Sequence, residues 1–93
     1  MSNVTTIEEK YAIKMDNDEY LVLEQTDNDL IEGNTVKNID FADVYPLSEA
    51  KEIVDAILNE TKIQEVFKVF TFEKPVAYVK IKKTIEIVSE QSI

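Results

Sequence analysis

Only one stretch of this chain places its apolar residues at helical spacing. Ala50, Ile53, Val54, Ile57 and Leu58 follow the i, i+3, i+4, i+7, i+8 rule, behind the lead-in Pro46-Leu47-Ser48. Ser48 is the expected N-cap, Glu49 and Glu52 sit near the positive end of the helix dipole, and Asn59 and Thr61 are expected to end the helix. Every other apolar run alternates or is β-rich. A single helix covers one face of a sheet and no more. The expected architecture is therefore α+β: an antiparallel sheet of four to five strands with one helix packed on one face, in the order ββ(β)αββ.

The strands follow from period-two patterning. Residues 10–15 put Tyr11, Ile13 and Met15 on one face, and residues 20–25 put Leu21 and Leu23 together. The Asp16-Asn17-Asp18-Glu19 run between them is turn chemistry, which predicts a β-hairpin. Thr26-Asp27-Asn28-Asp29 marks a second turn. Gly33, the only glycine, suggests a tight turn with Asn34, followed by a short edge strand over 35–39. Residues 65–72 and 76–88 are β-rich, with Glu73-Lys74-Pro75 as the turn between them. In the second run Ala77, Val79, Ile81, Ile85 and Ile87 share one face, interrupted by Lys83. In the first, Val66, Phe67, Val69, Phe70 and Phe72 put apolar groups on both faces. Either a curled sheet or loop covers the extra face, or a second chain does, a homodimer through Phe67, Phe70 and Phe72 or a foreign partner.

Ninety-three residues and 44% apolar content suffice for one small domain over 1–93, with 1–8 and 89–93 expected to be flexible. Cysteine, histidine, arginine and tryptophan are all absent. No thiolate or imidazole is available for metal binding or catalysis, and no guanidinium fork for phosphate. The opening Met1-Ser2-Asn3-Val4-Thr5-Thr6 lacks the basic and apolar segments of a signal peptide, so the expected location is cytoplasmic. No cofactor and no metal is expected. Asp16-Asn17-Asp18 and Asp27-Asn28-Asp29 resemble calcium-loop openings. An EF-hand, however, needs an oxygen ligand at position five, glycine at six and glutamate at twelve. Tyr20, Leu21 and Asp27 stand there in the first frame, and Ile31, Glu32 and Asn38 in the second. Carboxylate pairs abound by chance in a chain with nineteen acids, and no phosphate loop or nucleophile elbow occurs, so no enzymatic activity is expected. Tyr11, Tyr20, Tyr45 and Tyr78 read as core packing, because no basic groove accompanies them for base stacking.

Charge is the feature that the fold does not consume. Residues 16–60 carry thirteen carboxylates against two lysines, Lys37 and Lys51, and so hold the formal charge of −9 in one half of the chain. Such a run is ordinarily a solvated surface. It also suits a decoy that presents phosphate-like spacing to a nucleic-acid-binding protein, with steered, salt-sensitive association. The candidate contact residues are Glu52 and Asp55 on the outward helix face, then Asp16, Asp18, Asp27 and Asp29 at the turns.

Tyr11-x-Ile13-Lys14, Tyr20-Leu21 and Phe41-Ala42-Asp43-x-Tyr45-x-Leu47-Ser48-Glu49-Ala50 resemble a pattern in small accessory proteins of Gram-positive bacteriophages and prophages, over residues 10–58. The resemblance implies a mobile-element habitat and carries no catalytic residue across. It points to an accessory protein that acts on host or defence machinery. Together with the acidic surface this gives a non-enzymatic, protein-binding inhibitor or modulator as the expected function, while the net negative charge disfavours direct contact with nucleic acid or membrane. Two alternatives stand beside it. One is an assembly protein that oligomerises through the two-sided strand, and the other is a small-ligand binder for a nucleotide.

Overall fold

The computed structural model describes residues 5–86. In chain order it contains β1 (Thr5–Met15), β2 (Tyr20–Gln25), β3 (Leu30–Val36), a 3-10 turn (Ile39–Phe41), α1 (Leu47–Leu58), β4 (Lys68–Phe70) and β5 (Pro75–Glu86). The strands form one sheet in the order β4-β3-β2-β1-β5. This is the expected α+β class with one helix. The sheet is mixed, however, rather than antiparallel throughout, because β4 runs parallel to β3, with Ile31 beside Val69. The helix explains the difference. It carries the chain back along the sheet, so the next strand starts from the same end as β3, as a crossover connection requires.

Local chemistry sets the turns. Between β1 and β2, Asn17 Oδ1 accepts the Glu19 N–H at 3.0 Å, and Asp18 takes a left-handed φ of 65° in place of glycine. At the next turn the Asp27 carboxylate accepts the Asn28 N–H at 2.7 Å. Gly33 lies inside β3 opposite Leu23, not in a tight turn, and β3 is an interior strand that starts five residues before the expected edge strand. The helix begins one residue before Ser48, with Pro46 at the cap position and no side-chain cap, so Ser48 belongs to the first turn. It ends as expected at Asn59, and Glu60 then reverses the chain at a φ of 55°.

The helix packs Ala50, Ile53 and Ile57 onto Ile13, Met15 and Leu21, and these six form the central cluster of a core that also buries Ala12 and Ala56. Val54 is half-buried and Leu58 is 51% exposed, so the apolar stripe is seated along one side only. Among the described residues no β5 side chain belongs to that core, although β5 pairs along the whole of β1. The register gives the reason. Ile13 pairs with Tyr78 and Ala12 with Val79, which turns Ala77, Val79 and Ile81 to the face away from the helix. Residues 5–10 of β1 pair only with β5 among the described residues, so this ribbon runs on past the packed body. The molecule is accordingly long, 50 × 29 × 20 Å. Its radius of gyration of 16.1 Å exceeds the roughly 12 Å of a compact chain of this length.

β1 begins inside the segment expected to be flexible; residues 1–4 and 89–93 lie outside the described residues, as do Ile87 and Val88. Of the β-rich run 65–72, only Lys68–Phe70 is a strand. Among the described residues no helix is long and apolar enough to cross a membrane.

Candidate functional site

The hairpin partners β1 and β2 pair at Lys14 and Tyr20 and then part. The segment Asp43-Val44-Tyr45 fills the gap. On one side Tyr45 exchanges two backbone hydrogen bonds with Tyr11, its N–H donating to the Tyr11 carbonyl at 2.9 Å and its carbonyl accepting from the Tyr11 N–H at 2.8 Å. On the other side the Asp43 N–H donates to the Leu21 carbonyl at 3.3 Å. Asp43 Oδ2 then accepts the Leu23 N–H at 2.8 Å, taking the place a strand carbonyl would hold. The same oxygen accepts the Tyr45 O–H at 2.9 Å. Burial first, then the Asp43 charge and hydrogen bond and the Glu49 charge, raise the Tyr45 phenol above its ordinary range. Asp43 and Glu49 thus act electrostatically on one half-buried hydroxyl.

A groove of about 520 Å³ lies between the first two turns of α1, the ends of β2 and β3, and the turn at 63–67. Leu23, Ile31, Ile53, Ile63 and Phe67 supply its apolar walls. Asp43, Glu49 and Glu52 supply its charge, and no lysine is among the lining residues. The ion pairs among the described residues lie elsewhere, Lys14 with Asp18 at 3.7 Å and Lys80 with Glu9 at 3.2 Å. The three groove acids do not converge into a metal cage: among the described residues no cluster of three or more acids could hold an ion. Gln64 and Glu65, on the turn that bounds the groove, both take left-handed φ values, 53° and 62°.

The six acids expected from the sequence do not form one site. Glu52 lines the groove. Asp55, one turn on, is engaged with Asn59 and accepts the Thr61 hydroxyl at 3.3 Å, closing the helix C-terminus. Asp16 and Asp18 lie at one end of β2, and Asp27 and Asp29 at the other, roughly 17 Å apart by strand rise. Phe70 and Phe72 meet edge-to-face at 5.1 Å and are 50% and 85% exposed, whereas Phe67 turns into the groove. Sequence reasoning missed Asp43 and Tyr45, which sit in an irregular segment with no periodicity to mark them. The one available signal was a carboxylate two residues from a tyrosine, just ahead of a helix. Comparison with family models, curated proteins and solved structures finds no match to this chain.

Proposed function

We propose that this protein is a non-enzymatic binding module that engages a basic surface of a partner protein in the cytoplasm, through the groove and the first turns of α1. The observation that carries the reading is the charge asymmetry of the groove: Asp43, Glu49 and Glu52 surround an apolar trough, and no lysine lines it. Such a surface attracts cationic segments and repels phosphates, so a nucleotide ligand is disfavoured. The habitat implied by the resemblance, a phage or prophage, makes the partner a host or defence protein whose own basic groove binds nucleic acid. In that setting the acidic face competes with DNA or RNA.

The test is capture from a Gram-positive host lysate at about 50 mM salt, with elution at about 500 mM, the range over which polyelectrolyte contacts weaken sharply. A partner retained by wild type, released by salt and lost with Glu49→Lys/Glu52→Lys supports the reading. A partner held equally by the double variant contradicts it.

A further inference from the structure

We infer that the groove accepts the side chain of a lysine or arginine from an extended segment of the partner, its alkyl stem against the apolar walls and its cation among Asp43, Glu49 and Glu52. This rests on the reading above and narrows it from a surface to a single pocket.

The groove presents two chemistries at once. Leu23, Ile31, Ile53 and Phe67 offer apolar area to a chain of methylenes, and carboxylates stand beside them. Long cationic side chains have that same division, a hydrocarbon stem and a charged end. A purely apolar occupant would strip water from three carboxylates without replacing it, at high cost. An anionic one would meet their charge directly. A bare metal ion finds no convergent ligand set among the described residues.

Asp43 is prepared for a cation. Its Oδ2 is fixed by the Leu23 N–H and the Tyr45 O–H, while its Oδ1 accepts no hydrogen bond from the described residues. The carboxylate is therefore held in one orientation with a free acceptor. Gln25 and Gln64 in the lining add amide oxygens that can take the remaining ammonium or guanidinium protons. Preorganised acceptors of this kind reduce the ordering cost of binding.

The experiment is an amide-resolved NMR titration of the whole chain with a ten-residue peptide of alternating lysine and serine, and with the same peptide acetylated on every lysine. Both carry the same stems; only the first carries charge. The lysine peptide is expected to shift the Leu23, Ile53 and Gln64 amides, and the acetylated one to leave them in place. Ser48→Trp fills the mouth of the groove without changing any charge, and should weaken the lysine peptide about fivefold or more. Gln25→Phe does the same from the β2 side and serves if Ser48→Trp alters the fold. Should both filling variants bind as wild type while Glu49→Gln/Glu52→Gln binds more weakly, attraction is at the surface; the pocket is overturned and the proposed function stands. If none of these changes affects binding, both are overturned.

Discussion

Gly33 is required by what stands beside it, not by its backbone. It sits in the interior strand β3 without a positive φ, so any residue could adopt its conformation. A Cβ built there runs into the Thr71 methyl and comes within 2.9 Å of Leu21 Cδ1. Gly33→Ala should therefore destabilise the protein by about 1–3 kcal/mol, the usual cost of overpacking. Adding Thr71→Ser, which removes the obstructing methyl and keeps the hydroxyl bonded to the Glu73 carbonyl at 2.7 Å, should recover part of that loss in urea unfolding. No recovery would place the cost elsewhere. Tyr45 gives a pH signature. Its phenol is held neutral in the folded chain by burial and then by the Asp43 charge, so its folded pKa lies above the unfolded value. Stability from this group is complete below about pH 10 and is lost as pH rises beyond it, because only the unfolded chain releases the proton. Between pH 9 and pH 11 the urea midpoint should fall further for wild type than for Tyr45→Phe. Equal falls would mean that the phenol contributes nothing to the alkaline limb.

At the scale of elements, the legible parts were those with a period. The hairpin of β1 and β2 and the helix over Leu47–Leu58 were readable because Ile13, Met15, Leu21 and Ile53 repeat at spacings that only strand or helix can bury together. The parallel pairing of β4 was not readable. Strand direction follows from where the helix delivers the chain, and Val69 carries no mark of it. Gly33 misled because turns and close approaches both select glycine, and a sequence does not separate them. The apolar set of β5 misled more subtly. Its alternation is real, but the register with β1 aims Ala77, Val79 and Ile81 away from the helix, and register is a property of the pair. The site was legible only at Glu52. Its central pair, Asp43 and Tyr45, lies in a segment defined by what it fills, the gap between two strands, and such a role has no local pattern.

Across the whole molecule, location of charge matters more than its sum. A formal charge of −9 would steer any cation toward the protein weakly and from every side. The fold disperses most of that charge: Asp16 and Asp18 at one end of β2, Asp27 and Asp29 at the other, Asp55 at the helix terminus. Asp43, Glu49 and Glu52, by contrast, share a groove with apolar walls. Two variants separate the explanations, since Glu49→Gln/Glu52→Gln and Asp16→Asn/Asp18→Asn remove the same two charges from different places. The decisive measurement is the affinity of each for a labelled lysine–serine peptide, by fluorescence anisotropy at one salt concentration. The groove pair should lose about fivefold or more, roughly 1 kcal/mol, while the turn pair stays within about twofold of wild type. Equal losses would show that net charge alone draws the peptide, and would contradict a binding site in the groove.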